Sequence, residues 1–184
     1  LTESTSMAAP WGGLSIFWEG GRLLRVILMP ECDLPGNEVE ERAPQKGTAH
    51  AAHLWLRRFL EGQERQPFPR LEELLDEAGV SGFQRRVMEE AARIGFGKTR
   101  SYSQLVIEEA ARIGFGKTRS YSQLALDAER PGAARAVGNV MSANPFPLLV
   151  PCHRVVSASG EPGGFRWGTE LKVRLLSWEG DLLK

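Results

Sequence analysis

Two short apolar runs, Leu14–Trp18 and Leu23–Met29, flank Glu19-Gly20-Gly21, and this pattern predicts a pair of strands joined by a tight turn. Asp33–Gln45 is polar and carries Pro and Gly, so it reads as loop. Over Ala49–Leu60 the apolar positions Leu54, Leu56, Phe59 and Leu60 predict a helix that stops at Gly62, and Gln66–Arg70 is a proline-bearing connector. These elements predict a small α/β domain, 7–78. From Ser81 onward the periodicity is helical. Ser81-Gly-Phe-Gln84 has the form of a capping box, and Phe83, Val87, Ala91 and Ile94 follow on one face. Farther on, Tyr121–Ala128, a break at Arg130-Pro131, and Gly132–Ala143 with Pro131 at the first helical position predict a helix-turn-helix. A last helix, Thr169–Glu179, carries Leu171, Leu175 and Trp178 and ends at Gly180. A mostly helical second domain, 79–184, follows from this, and residues 1–6, ahead of Met7, read as an upstream remnant.

Inside the second domain, Val87–Leu105 and Val106–Leu124 are the same nineteen residues in tandem, except for Met88 against Ile107. Two units are too few for a solenoid, which needs three or more to bury a continuous core. Each copy carries its own helix start, Ser101-x-x-Gln104 and Ser120-x-x-Gln123, so the duplication is expected to add a self-capped helix over about Tyr102–Ile113. The copies also contain Ala92–Thr99 and Ala111–Thr118, which match a relaxed phosphate-loop pattern. A true phosphate loop follows a buried strand and opens a helix, whereas these follow charged amphipathic helix patterns, so the Gly-Lys pairs read as helix termini.

Charge changes the picture more than composition does. The formal net charge is zero, yet residues 1–80 hold 8 basic and 13 acidic residues, a balance of −5, and residues 81–184 hold 15 and 10, a balance of +5. The second half is therefore the place to look for a polyanionic partner. No apolar stretch approaches the length of a membrane span and no secretory signal pattern opens the chain, so a cytoplasmic protein is expected. Two cysteines, Cys32 and Cys152, make neither a disulfide framework nor a C-x-x-C site. His50, His53 and Cys32 are the one candidate metal set, and their spacing matches no metal-site pattern, so no metal is assigned.

The densest chemistry lies at Pro151-Cys152-His153-Arg154-Val155, entered through the apolar, proline-rich Asn144–Val150. Prolines give the cysteine a stiff, irregular mount. A thiol becomes a nucleophile as the thiolate, which neighbouring cationic or basic groups favour. The same cysteine in isolation would read as a buried structural residue. Upstream, the helix holding Ala133, Ala134, Ala136 and Gly138 is small-faced and projects one large cation, Arg135; such a surface suits close approach to another helix or to a nucleic acid.

Taken in order, Phe83-Gln84, Gly-Lys-Thr-Arg-Ser-Tyr-Ser-Gln-Leu, Pro131-Gly-Ala-Ala-Arg135-Ala-Val-Gly138, Asn144-Pro145, Pro-Cys-His-Arg-Val and Leu175-Leu176-x-x-Glu179-Gly180 resemble the O6-alkylguanine-DNA alkyltransferases (methylated-DNA–protein-cysteine methyltransferases). The first 80 residues resemble that family's N-terminal domain more loosely. The resemblance implies an α/β, RNase H-like N-terminal domain with a small sheet plus helix, and a mostly α C-terminal domain with a winged-helix-like helix-turn-helix. It implies DNA repair by direct reversal: a guanine alkylated at O6 is flipped from double-stranded DNA, and Cys152 takes the alkyl group irreversibly, once per molecule. In those roles Cys152 is the nucleophile and His153 the base, acting through a bridging water. Glu179 orients the histidine, Asn144 braces the turn, and Tyr121 bonds the flipped base and helps protonate the leaving guanine. Arg135 fills the gap in the stack, with Ser120, Ala133, Ala134 and Gly138 on the DNA-binding face, the second helix lying in the minor groove. Phe165, Trp167, Val155 and Ser157 line the substrate pocket. The family precedent is a monomer without a required organic cofactor; some members hold a structural zinc in the N-terminal domain. Placement would be nucleoid-associated in a bacterium and nuclear in a eukaryote.

Three departures bear on these roles. Most of the Ser-Tyr segment occurs twice, and only Tyr121 is contiguous with the helix-turn-helix, so the role is assigned to Tyr121 rather than Tyr102. Phe165 stands where the family commonly has Tyr, and Arg166-Trp167-Gly168 is bulkier than the common small-residue loop, with Trp167 expected to narrow the pocket in favour of methyl adducts. The alternative reading is a non-catalytic alkyltransferase-like protein that binds lesions or regulates; relatives of that kind lack the cysteine. A Cys-His hydrolase would need a cleft and oxyanion donors that no motif supplies.

Overall fold

The computed structural model describes residues 1–30, 43–78 and 102–183. Gly20 and Gly21 both take positive φ, 59° and 95°, which is the geometry of a two-residue hairpin turn. The predicted strands accordingly pair antiparallel across it, as β2 (Gly12–Glu19) and β3 (Arg22–Met29). A third strand precedes them. β1 (Glu3–Ala9) runs antiparallel to β2 from Glu3 opposite Trp18 to Ala9 opposite Gly12, giving a sheet of order β1-β2-β3. Residues 3–6, set aside in the sequence as a remnant, are thus part of the sheet.

The sheet buries one face. Leu14, Ile16 and Trp18 from β2 and Leu23, Val26 and Leu28 from β3 cluster with Ala49, Ala52, Leu56 and Phe59 of α1 (Gly47–Leu60). The observed α1 starts two residues before the predicted one and stops where Gly62 was expected to end it. Thr48 ties three elements together: its hydroxyl accepts from the Leu23 amide at 3.1 Å and donates to the Glu77 carboxylate. Glu77 ends α2 (Leu71–Glu77), which the sequence did not predict because seven residues cannot display two turns of apolar periodicity.

The described chain resumes with α3 (Tyr102–Ala111), two residues shorter than the predicted Tyr102–Ile113. Ser81–Gln84, Val87, Ala91, Ile94, Ala92–Thr99 and the Ser101 cap lie outside the described residues. Ala111–Thr118 is a helix end and turn running into β4 (Arg119–Ser120), with neither a preceding strand nor a helix directly after Lys117-Thr118. That is the helix-terminus reading of the phosphate-loop match.

β4 leads straight into α4 (Tyr121–Asp127) through the predicted capping box: the Ser120 hydroxyl accepts from Gln123 N at 3.1 Å, and Ser120 N donates to Gln123 Oε1 at 2.9 Å. The second helix of the pair, α5, covers Ala134–Ser142, not Gly132–Ala143. Gly132 at φ 85° cannot continue a right-handed helix, so Pro131-Gly132 belongs to the turn and Pro131 is not at the first helical position. A single 3-10 turn, Cys152–Arg154, precedes β5 (Val155–Val156), which pairs parallel with β4. The last helix, α6, runs Thr169–Asp181, passing through Gly180 rather than ending at it.

A second apolar cluster joins α3, α4 and α5: Val106, Ile107 and Ala110 pack with Leu124, Ala125, Val137 and Met141, and Val150, Cys152 and Val155 complete it. The first cluster reaches beyond the sheet and α1 to Phe115, Phe146, Leu148, Leu149, Leu171 and Leu175. The second repeat copy therefore supplies residues to both clusters.

Ile107, 4% exposed, marks that copy. Ile107→Ala should destabilise the protein by about 2–4 kcal/mol. Urea denaturation followed by circular dichroism reads this as a lowered midpoint; an unchanged midpoint would mean that the second copy is not the packed one.

Candidate active site

The mount of Cys152 starts at Asn144. Its amide Nδ2 donates to Val150 O at 2.9 Å and to Cys152 Sγ at 3.2 Å, and its Oδ1 accepts from Phe146 N at 3.0 Å. One buried side chain thus closes both ends of the Pro-rich segment. Leu148 within the segment sits at φ 72°, a conformation costing a leucine about 1–2 kcal/mol. It is held there with Pro147 bridged to Val150 and with Leu148 itself buried. Cys152 N and Arg154 N then donate to Val150 O and Pro151 O, at 2.8 and 2.9 Å, which winds the 3-10 turn.

Consecutive residues of that turn reach one carboxylate. Glu179, fully buried on α6, accepts from His153 Nε2 at 3.0 Å and from Arg154, with Nε at 3.0 and 3.1 Å and Nη2 at 2.7 Å. Gly116 N adds a fourth donor group at 3.1 Å. Burial alone would raise the Glu179 pKa, but the bonds and charges of His153 and Arg154 overcome it and hold the carboxyl at about 2. For His153, burial lowers the pKa. Glu179 opposes that, while the Arg154 and Lys172 charges reinforce it, so the imidazole is neutral. With Nε2 donating to Glu179, the lone pair lies on Nδ1, a buried atom without a hydrogen-bond partner among the described residues.

Cys152 is 2% exposed, and burial pushes its thiol up to about 11, against the opposing hydrogen bond from Asn144 and the charge of Lys172. The resting group is a thiol. The arginine beside it, expected from the sequence to favour the thiolate, turns away to Glu179 and to Ile113 O, which Nη1 meets at 2.5 Å. The cation that does favour the thiolate is Lys172, fully buried on α6. Its Nζ donates to Val155 O at 2.6 Å and to Gly164 O at 3.4 Å, and lies 5.6 Å from the Tyr121 ring centroid and 5.8 Å from that of Phe165. Burial lowers its pKa to about 8.

The thiol opens on a cavity of about 520 Å³. Tyr121, Phe165 and Arg166 wall it on one side, and Ala134, Arg135 and Gly138 of α5 on the other. The Tyr121 hydroxyl donates to Gly164 O at 3.2 Å. Its position follows from the β4–β5 ladder, in which Arg119 pairs with Val155 and Ser120 with Val156, placing Tyr121 level with the strand that leaves the cysteine. Tyr102, the alternative, is the first residue of α3.

Other expected residues fall elsewhere. Trp167 is not on the cavity wall: it packs against Phe165, ring centroids 5.2 Å apart, with the Arg166 guanidinium over it. Val155 is core, and Ser157 Oγ is paired with Ser159 Oγ at 2.7 Å. Ser120 uses its hydroxyl as a helix cap, and Ala133 is the N-cap residue of α5. For the metal set, His50 Nδ1 is bonded to Pro44 O at 2.7 Å, and Cys32 lies outside the described residues.

Lys172 was missed in the sequence, and Arg154 was read there as a partner of the thiolate rather than of Glu179. Lys172 could have been found there, because Lys172 and Glu179 lie seven apart and flank Leu171 and Leu175, so the apolar face of the last helix carries two charges. The depressed Glu179 pKa has a readable sign. A carboxyl held at about 2 when folded, against an ordinary 4.5, contributes stability that is complete above 4.5 and is lost as pH falls through about 2. The urea midpoint should therefore drop between these values more steeply in the wild type than in Glu179→Gln. Parallel pH profiles would refute the assignment.

The domain described as "6-O-methylguanine DNA methyltransferase, DNA binding domain" matches residues 103–181. The methylated-DNA–protein-cysteine methyltransferase of Mycobacterium leprae is 45% identical over 181 residues, covering 97% of this chain and 93% of that protein. The protein of that name from Methanothermobacter thermautotrophicus is 40% identical over 107 residues, 58% of this chain; the match spans about half of that relative's length, 49%. Among solved structures, Mycobacterium tuberculosis OGT in complex with DNA superposes with a TM-score of 0.63 at 25% identity, covering 97% of this chain and 93% of that one. The fold is theirs, a small sheet with helices in a mixed α/β arrangement. By near-full-length identity to the Mycobacterium leprae protein, the chain belongs to the methylated-DNA–protein-cysteine methyltransferase family.

Proposed function

We propose that this protein repairs DNA by direct reversal, moving the alkyl group of O6-alkylguanine in duplex DNA onto Cys152. The observation that carries the reading is one cavity with two kinds of wall. At its base is a buried thiol backed by Asn144, and at its rim is the small-residue helix α5 with exposed Arg135. A cavity of that size can take a flipped base, and α5, poor in bulky side chains, can approach a minor groove. Arg135 would occupy the gap left in the stack, offsetting a few kcal/mol, roughly, of unstacking.

In the step itself, His153 takes the Cys152 proton on Nδ1, and Sγ attacks the carbon attached to O6. The S–C bond forms as the C–O bond breaks, and the electron pair leaves with the guanine. Tyr121 supplies the proton that the departing base takes up and is reprotonated from the imidazolium, so the thiol hydrogen ends on guanine. The resting thiol is protonated because burial holds its pKa at about 11, and Lys172 and Asn144 become effective when the thiolate appears. The thioether has no route back, so each molecule acts once and needs no cofactor. On the pocket wall, Phe165 and Arg166 rather than Trp167 would meet the alkyl group.

The same reading carries the finer architecture. A division near residue 78, with an RNase H-like first part that includes β1 from Glu3 and a winged-helix-like second, is supported by the sheet with α1 and by α4–α5 beside the β4–β5 ladder. It also carries a monomeric working form placed in the cytoplasm or on the nucleoid; among the described residues no helix is long and apolar enough to cross a membrane. A non-catalytic lesion binder has no single observation in its favour, because Cys152 sits at the cavity.

Intact-mass spectrometry after incubation with a duplex containing O6-methylguanine should show a gain of about 14 Da on the wild type and none on Cys152→Ala. Binding without a mass gain would instead assign the non-catalytic role.

A further inference from the structure

Arg154 has no part in the step just described, yet it is the residue most heavily bonded to the site. It is 6% exposed, and all three guanidinium nitrogens are engaged: Nε and Nη2 on Glu179, Nη1 on Ile113 O. The Phe115 ring covers it, with the guanidinium carbon 5.5 Å from the centroid. Building on the alkyl-transfer reading, we propose that Arg154 is a positioning residue for that reaction: it supplies the counter-charge of Glu179, so that the carboxylate orients His153 without taking it as a cation.

An anionic carboxylate out of water needs a cation or several donors. Were His153 the only cation within reach, the cheapest arrangement would be imidazolium against carboxylate. A histidine already protonated cannot accept the thiol proton. Arg154, always charged, removes that demand. Glu179 then stays ionised beside a neutral imidazole, and the hydrogen bond to Nε2 fixes the tautomer that leaves the lone pair on Nδ1. Among the described residues, the charged groups acting on His153 are Glu179, Arg154 and Lys172. Lys172, on the same helix as Glu179, disfavours the imidazolium as Arg154 does, and only Glu179 favours it. From the turn after α3 come only the Gly116 amide on Oε2 and the Ile113 carbonyl on Arg154.

Arginine geometry matters as well as its charge. A lysine at 154 could neutralise Glu179, but it could not bond both oxygens while also reaching the Ile113 carbonyl. The arrangement thus predicts separate effects for charge loss and for geometry loss.

The test is the single-turnover rate of methyl transfer across pH for the wild type, Arg154→Met, Arg154→Lys and the double variant Arg154→Met/Glu179→Gln. His153 tautomer and charge are read in parallel by 15N NMR of the unmodified full-length proteins. Arg154→Met should transfer about tenfold or more slowly at pH 7 and recover as pH rises, with its acid limb displaced upward by about one unit or more. Arg154→Lys should show a smaller displacement. The double variant, with neither charge, should bring the acid limb back to the wild-type position. A folded Arg154→Met with an unmoved acid limb and a neutral Nε2-protonated His153 would overturn the proposal, and so would a uniform loss at every pH that the double variant does not relieve. If Arg154→Met does not fold, Arg154→Lys and the double variant decide by the same criteria. A wild type that transfers no methyl group would remove the functional reading instead, and the NMR comparison would still decide the role of Arg154.

Discussion

The buried carboxylate of Glu179 is the constraint around which the second half of the chain is arranged. It accepts N–H groups from two separate places: the turn after α3 through Gly116, and the 3-10 turn that carries Cys152 through His153 and Arg154. An ion so far from water is tolerated only when its partners are complete, because each missing donor exposes the full desolvation cost. Assembly of the site is therefore close to all-or-none. The same knot reaches the first half of the chain. Phe115, beside Gly116, packs edge-on against Phe59 of α1 and against Trp178, the neighbour of Glu179, with ring centroids 5.9 and 6.2 Å apart. The sheet and α1 contribute nothing to the chemistry directly, but they press on the turn that donates to its central anion.

What the sequence made legible was whatever is encoded locally. The glycine pair of the hairpin, the Ser120–Gln123 box and the Pro-Cys-His-Arg-Val mount each act within a few residues, and each appears where it was expected. The roles of Asn144 and Glu179 came only through resemblance; the structure bonds Asn144 to the Cys152 sulfur and Glu179 to His153. The misses have a common cause in long-range geometry. β1 is polar and becomes a strand only because β2 offers it an edge, and α2 is too short to show a period. Arg154 looked like a thiolate stabiliser by adjacency, yet the 3-10 turn carries it together with His153 onto a carboxylate 25 residues away. Trp167 was placed at the cavity by its bulk, whereas the loop turns Phe165 and Arg166 inward and leaves the indole behind them.

A protonated, buried thiol is a poor nucleophile at rest, but the arrangement separates stability at rest from reactivity on demand. With the pKa near 11, almost no thiolate is present to be oxidised or to meet stray electrophiles. The groups that would stabilise the anion are already in place: Lys172 behind it and the Asn144 amide at 3.2 Å. Nothing has to reorganise when the proton leaves, which is the condition under which fixed dipoles and charges lower a barrier most. The proposed irreversible transfer would give that reserve a reason, because a molecule acting once would lose everything by reacting with the wrong partner.

The tandem repeat sharpens the point about contiguity. Both copies contain the residues that the repeat contributes to this site, with the same Ile-Gly-Phe-Gly and Ser-Tyr sequences. Composition cannot choose between them; connection can. Ser120 must pair with Val156 in β4–β5 while also capping the helix that packs against α5, and Tyr121 must follow at once to reach Gly164. Only the copy followed directly by Ala125 and the rest of α4 meets those demands together. In the other copy, Tyr102 opens α3, which carries the chain into the next copy rather than into the second helix of the pair. Among the described residues, every bond the repeat gives the site, from Gly116 N and Ile113 O to the Tyr121 hydroxyl, comes from the second copy.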